Sequence, residues 1–365
     1  MKILHFGSNY LPNKGGNVVR MTNMLENNKS GNELFIMTTA QQQDFDDDKY
    51  YQEKGIRIFR IKTLDDAKQQ LPRVVKEYGI DIVVTHIIPA NMIACKSLPK
   101  DVIIMTEVHS LIDSGSLKNA LKGMLHRFVL NRRTQKYFTL SQGASEYIKA
   151  NYGVKEKNIV FLPNGSKIDA GVRKNGNPDY FTFGYCGTFY DWQGTDVLIK
   201  NVDKILSLGE NVRVYLIGGG YKEDVLKEMA EKSNGRLVVT GLVPKDEANC
   251  LMDEIDVLMI PRPSMLETET AIPLKIFDSV ESGKPVIISD VYGLVEVLSE
   301  NEAFVYSKKD ENGLYNACKT AYENPELLDS KYTASVEKLK QWYTWDDIHK
   351  KQNDVFKEVL NAHKN

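Results

Sequence analysis

The chain has 365 residues, 42% hydrophobic and 26% charged, with a formal net charge of −2 and a mean hydropathy of −0.36. That length allows two domains with separate cores, and no run reaches the roughly 20 apolar residues a membrane-spanning helix needs. The four cysteines, Cys95, Cys186, Cys250 and Cys318, are far apart and form no CxxC pair, which argues against a disulfide framework or metal knuckle.

The N-terminus enters a strand at once, MKILHF, with no charged segment leading into a long apolar one. The expectation is a cytoplasmic protein whose membrane contact, at the inner face of the cell membrane, is peripheral. Residues 1–170 carry 24 basic against 17 acidic side chains, net +7, and the remainder 23 against 32, net −9. Such asymmetry suggests different partners for the two halves, or simply a drift of surface charge, and it calls for no nucleic acid.

Strand-like apolar runs in the first half are Lys2 to Phe6, Glu33 to Met37, Ile56 to Ile61, Ile80 to Thr85, Val102 to Thr106, Lys136 to Leu140 and Ile159 to Leu162. In the second half they are Phe181 to Tyr185, Val212 to Ile217, Leu237 to Thr240, Asp256 to Ile260, Pro285 to Ser289 and Ala303 to Tyr306. Helical patterns fill most gaps, so both halves read as α/β domains with parallel sheets and right-handed crossovers. The polar stretch SKIDAGVRKNGNPD, Ser166 to Asp179, reads as the linker, and DFDDDKYY at 44–51 as a solvated loop. Two Rossmann-like domains joined by one linker leave a cleft at the carboxyl ends of their sheets.

Several loops are suited to anions. Asn13 to Asn17, with Gly15 and Gly16, follows the first strand and precedes a helix expected near Val18; Gly218 to Gly220 follows VRVYLI. Glycines let a backbone approach a ligand closely, although a plain tight turn fits both loops, and neither is the phosphate loop of an NTPase. Ile255 to Leu298 holds more. Pro261 and Pro263 stop a strand, Thr270 to Ser282 reads as a helix with Pro273 near its start, and Arg262 and Lys275 flank the point where the helix dipole favours negative charge. Alternatively, Arg262 and Lys275 pair with Glu267 and Glu269.

Ser116 to Lys136 has six Lys or Arg and no acid, interleaved with Leu117, Leu121, Met124, Leu125, Phe128 and Leu130. It suits docking on an anionic membrane surface, or a helix that covers a sheet and has one basic face.

Five blocks occur in order over about 280 residues: Gly15-Gly16; Phe161 to Gly165; Tyr185 to Thr188 with Trp192-Gln193-Gly194; Leu216 to Gly220 with Val239 to Val243; and Ile255 to Leu298. In these the chain resembles the retaining family-four glycosyltransferases of the GT-B fold, the glycosyl transferases group 1. The resemblance implies two Rossmann-like domains facing a central cleft. Residues 1–170 would bind acceptor, 171–345 would bind nucleotide sugar, and a last helix, about 346–365, would cross back to the first domain. It also implies a nucleotide diphosphate sugar as donor, UDP-sugar favoured, with retention and without a metal or other cofactor. The acceptor would be a glycan or a lipid-linked glycan, and the sugar moved of hexosyl or N-acetylhexosaminyl type.

Residue by residue, the resemblance assigns Gly15, Gly16, Asn164, Thr188, Gln193, Gly218, Gly219, Thr270 and Asp278 to the donor site, with Asp278 on the ribose. Leu242 and Val243 would read the base, and His109, after the strand VIIMT, would meet the donor sugar or reacting centre. His86, after DIVVT, has a similar place. Relatives carry a glutamate where this chain has Thr270, and an Arg and a Lys where it has Thr188 and Gln193. Charge for the leaving diphosphate is therefore expected from Arg262 and Lys275, beside the helix start Pro273-Leu274-Lys275. A sugar-nucleotide epimerase of the same fold and a non-catalytic nucleotide-sugar-binding protein remain as alternatives.

Overall fold

The computed structural model describes residues 1–8, 10–12, 15–26, 30–40, 46–109, 111–168 and 171–364, the side chains at 46, 47 and 245 aside. Asn13 and Lys14 of the first glycine turn, and residues 44–45 and 169–170, lie outside the described residues. Short runs rich in Val, Ile, Leu and Phe form thirteen strands among those described. They are β1 (Lys2–Gly7), β2 (Glu33–Thr38), β3 (Arg57–Arg60), β4 (Ile82–His86), β5 (Ile103–Val108), β6 (Lys136–Thr139), β7 (Ile159–Phe161), β8 (Phe181–Cys186), β9 (Val212–Ile217), β10 (Leu237–Gly241), β11 (Val257–Ile260), β12 (Val286–Ser289) and β13 (Phe304–Tyr306).

The chain divides into two units, Met1–Asn164 with Trp345–Asn365, and Gly165–Thr344. Unit 1 holds a parallel sheet of order β3-β2-β1-β4-β5-β6-β7, and unit 2 one of order β10-β9-β8-β11-β12-β13. Each is Rossmann-like, with helices between strands. The central strands β4 and β5 are buried along their whole length, as expected where helices cover both faces of a parallel sheet. Leu4, Phe6, Phe35, Leu71, Val83 and Ile104 anchor the core of unit 1, and Phe183, Leu198, Val214, Leu216, Val257 and Ile287 that of unit 2. The helix Trp345–Lys364 packs on unit 1, against the helix Gly16–Glu26 and β5.

In both sheets the strand order reverses beside the first strand of the unit, between β1 and β4 and between β8 and β11. The loops leaving the carboxyl ends of these pairs part in opposite directions, and such a switch point is where open α/β sheets bind ligands.

Three local expectations are corrected. Asp46–Glu53 is helical, so the stretch expected as a loop is helix from Asp46 onward. The coil of residues 171–179 is tied to unit 2 along its length: Arg173 pairs with Asp329, Lys174 N–H donates to Gly283 O, and Gly176 N–H to Asp256 Oδ1. Fully buried Lys284 adds to this, its Nζ donating to the carbonyls of Lys174, Asp253 and Ile255. Finally, Thr270 lies outside the helix expected to begin there. A turn at Leu266–Glu269 ends with Thr270 as its C-cap, and the helix proper is Leu274–Glu281 with Pro273 at its N-cap. The Thr270 hydroxyl donates to Leu266 O, closing the first turn, and Ile272, before a proline, is disfavoured in the α conformation. Gly16–Glu26 likewise begins two residues before Val18.

Candidate functional site

Each unit gathers polar side chains at its switch point. In unit 2, β8 delivers Gly187, β9 delivers Gly218 and Gly219, and β11 delivers Pro261 and Arg262. Gly187 has φ 140°, and a Cβ there would stand 2.9 Å from Lys275 Nζ; a Cβ on Gly218 would run into Gly187 O. Only glycine backbone permits loops this close to each other and to the lysine.

Lys275 lies partly exposed along its stem, but Nζ is closed off from solvent and has no hydrogen-bond acceptor among the described residues. Its nearest compensation is the Tyr185 ring, whose centroid is 3.8 Å away. Burial, and then the positive charge of Arg262, lowers the Lys275 ammonium to about 7. Arg262 is itself buried and is lowered to about 10 by desolvation. One of its terminal nitrogens donates to Ala271 O at 3.2 Å, while Nε has no partner among the described residues. Neither cation forms a salt bridge among the described residues. Glu269 pairs instead with Lys308 and accepts from Tyr292 N–H, while Glu267 acts on Arg262 through its charge. The alternative in which the glutamates absorb both cations therefore does not hold.

The other expected residues of unit 2 surround this pair to differing degrees. Thr188 is exposed, its carbonyl accepting from the Tyr185 hydroxyl at 2.8 Å, and the Gln193 side-chain oxygen is buried without a partner among the described residues. Asp278, three residues after Lys275, is exposed on the same helix face and acts on its charge. Leu242 is 78% exposed after Gly241, with Val243 half-buried beside it. Thr270 is buried at its C-cap and uses its hydroxyl locally.

In unit 1, β4 ends in His86 and β5 runs into Glu107 and His109. These three, with Asn17, Lys122 and His126, line a cavity of about 340 Å³. Gly15 accepts the first backbone bonds of the helix that carries Asn17, and Gly16 starts it. A Cβ at Gly7 would run into the His86 ring, so glycine at the end of β1 makes room for it. Glu107 is fully buried, 3.7 Å from Arg20 and 3.0 Å from His109 Nε2, and Gln352 donates to it at 3.4 Å. Burial alone would raise the Glu107 carboxyl. Arg20, with His109 and His86, outweighs that and holds it well below the usual carboxylate range. Arg20 also donates to Leu162 O, Pro163 O and Asn164 Oδ1, which places Asn164 on this guanidinium.

Arg20 and Glu107 were not among the expected site residues. The signal was present, since an acid inside the apolar run VIIMTEV must be paired once both faces of its strand are covered. His86, Glu107 and His109 offer ligand atoms within 4.8 Å of one another, a set that could hold a metal ion. Arg20 already neutralises the carboxylate, so a dication would meet no net negative charge there.

The buried histidines predict acid sensitivity. Burial lowers His5 and His126 to about 4, and burial followed by the proximity of His109 sets His86 well below its ordinary value. In the unfolded chain such rings take protons near pH 6.5, so unit 1 loses stability as pH falls from about 6.5 towards 4. The slope is at most about 1.4 kcal/mol per pH unit for each ring. Glu107 adds to this only below about 4.5, where the unfolded carboxyl begins to take a proton, and its stabilisation is lost progressively from there downward. Melting curves at pH 7.5 and pH 5 should show unit 1 unfolding several degrees lower in acid; equal midpoints would contradict the assignment.

Known proteins share this organisation. Residues 19–169 match the family model described as Glycosyltransferase Family 4, and residues 180–324 that described as Glycosyl transferases group 1. A phosphatidylinositol N-acetylglucosaminyltransferase subunit of Arabidopsis thaliana is 22% identical over 232 residues, 60% of this chain and 48% of that protein. The chain thus spans about half the length of that curated relative. Among solved structures, a glycosyltransferase from Rickettsia africae superposes with a TM-score of 0.77 at 14% identity, covering 98% of both chains. Anabaena HepE, solved in complex with UDP and glucose, gives 0.73 at 16% identity, over 98% of this chain and all of that one.

Proposed function

From a chain that belongs to the glycosyltransferases of the GT-B fold, we propose the transfer of a hexosyl or N-acetylhexosaminyl group from a nucleoside diphosphate sugar, UDP-linked by preference, to a lipid-linked acceptor. The observation that carries this reading is the Lys275 ammonium, enclosed without an acceptor among the described residues beside buried Arg262. Two desolvated cations at the switch point of an α/β sheet are stabilised by an anion, and a diphosphate supplies one. As the anomeric carbon–oxygen bond breaks, negative charge grows on the leaving phosphate, so donors aimed there act most strongly in the transition state. The acceptor oxygen bonds to the anomeric carbon as that bond breaks. Its proton passes to the leaving phosphate, which departs as nucleoside diphosphate; reaction on one face retains configuration. Arg262 and Lys275 supply the charge, and the reading invokes no metal.

The acceptor side rests on unit 1. In the helix Ser116–Leu125 and the π-helical turn His126–Leu130, Leu117, Leu121, Met124 and Phe128 form one stripe, each at least half exposed. Lys118, Lys122, Arg127 and Arg132 lie along the same segment, and no acid does. Apolar side chains at this spacing with a basic border suit the interface of an anionic membrane at the cytoplasmic face, where each Lys or Arg adds about 1 kcal/mol. The phosphatidylinositol named for the Arabidopsis relative is an amphiphile of that kind. Among the described residues no helix is long and apolar enough to cross a membrane. Sedimentation with phosphatidylcholine vesicles should require added phosphatidylglycerol, fall at high salt, and be lost in the Leu121→Glu/Phe128→Glu double variant. Binding indifferent to anionic lipid would refute the docking face.

A thermal-shift screen of nucleoside diphosphates and their sugars tests the donor. Stabilisation by UDP compounds is expected, with UDP released only when acceptor is present. Isomerised donor without acceptor would instead indicate an epimerase, and binding without turnover a non-catalytic protein.

A further inference from the structure

The unit 1 cavity has a floor whose chemistry extends that reading. His109 Nε2 faces the Glu107 carboxylate at 3.0 Å, and Glu107 is clamped in turn by Arg20. A carboxylate beside one ring nitrogen of a neutral imidazole favours the proton on that nitrogen and leaves the other bare. Among the described residues His109 Nδ1 and both ring nitrogens of His86 are buried with no hydrogen-bond partner, and His109 Nε2 has only the 3.0 Å contact to Glu107 Oε2, which falls short of hydrogen-bond geometry. The two rings are adjacent, with centroids 4.7 Å apart, and both line the cavity. Buried acceptors left without donors are costly unless something completes them.

We propose that the Arg20–Glu107 pair is a positioning device that fixes His109 as its Nε2–H tautomer, so that His109 Nδ1 and a ring nitrogen of His86 accept hydrogen bonds from hydroxyl groups of a substrate ring in this cavity. The ligand class is a polyhydroxylated ring, a sugar or cyclitol, recognised through its O–H groups. A cation or carboxylate offers no O–H and is not selected. Glu107 and Arg20 act through His109, while His109 and His86 touch the ligand. The inference depends on the transferase reading for the identity of the reaction, but the tautomer does not.

The first test therefore needs no substrate. In protein labelled with ¹⁵N-histidine, two-bond ¹H–¹⁵N spectra at pH 8 should show His109 with a protonated Nε2 and a bare Nδ1, the resonances being assigned by their loss in His109→Asn. An Nδ1–H tautomer or an imidazolium would overturn the proposal. Glu107→Gln, whose amide can turn an N–H toward the ring, should populate the other tautomer. It should lower kcat/KM for transfer at least tenfold and leave the UDP dissociation constant within twofold of wild type, with Glu107→Asp recovering part of the loss. Transfer unaffected in Glu107→Gln would also overturn it. If the wild type turns over no nucleotide sugar, the transferase reading fails and the ¹⁵N spectrum still decides the tautomer.

Discussion

Replacing Lys275 by Met is expected to weaken UDP binding by about 10- to 150-fold, the equivalent of one charge-assisted contact of about 1.5–3 kcal/mol. The ligand-free protein should lose nothing by the change. Lys275 Nζ is held without an acceptor among the described residues, and its main compensation there is a cation–π contact with Tyr185 that contributes about 2 kcal/mol when desolvated. The effective penalty for enclosing an ion is several kcal/mol. The sign with pH follows from the lysine's two states. Folded, it is lowered to about 7; unfolded, it titrates near 10.4. Between these values the unfolded chain binds more protons, so wild-type stability rises with pH through this window. Lys275→Met removes the term, so its midpoint should exceed that of wild type at pH 6 and converge with it near pH 10. A variant that melts lower at pH 6 and still binds UDP would make Lys275 a structural residue.

The second large effect is expected at Arg20, whose guanidinium lies within salt-bridge distance of Glu107. Arg20→Met leaves a fully buried carboxylate with its principal counter-charge gone, and it strips donors from Leu162 O, Pro163 O and Asn164 Oδ1. Removing one partner of a buried pair destabilises by about 3–5 kcal/mol. The double variant Arg20→Met/Glu107→Leu should regain part of that, because no uncompensated charge remains, although the three oxygens still lack the bonds the guanidinium gave them. Urea unfolding of both single variants and the double gives the coupling directly. Additive losses would mean that the pair does not interact. The chemistry makes a further demand: the double variant, though more stable than Arg20→Met, should not recover transfer, since nothing then fixes His109.

The strands were legible because a parallel sheet covered on both faces needs nearly continuous apolar runs, and stretches such as DIVVTH and DVLMI contain little else. Helix starts were harder. The run from Leu266 to Glu281 has one hydrophobic rhythm but two turns, separated because Glu269 is drawn to Lys308 and Tyr292 N–H and because Pro273 cannot continue a helix from the residue before it. Arg20 was hidden for another reason. In VVRMTNML it reads as the solvent-facing cation of an amphipathic helix, and only the fold brings the end of β7 and Glu107 to it. Lys275 and Arg262 could be picked out as cations at a loop–helix junction. That Lys275 Nζ is sealed off and Glu269 is committed elsewhere depends on packing that no local pattern encodes.

The most direct test is the affinity of wild type and Lys275→Met for UDP, measured by calorimetry from pH 7 to pH 9, where the terminal phosphate of UDP, with its last ionisation near about 6, no longer titrates. The account predicts that wild-type affinity falls as pH rises and that binding takes up protons at pH 8, because an ammonium lowered to about 7 must be charged to hold the diphosphate. Lys275→Met should bind weakly with no such dependence. Wild-type affinity that is flat across this range, or equal in the two proteins, would contradict it.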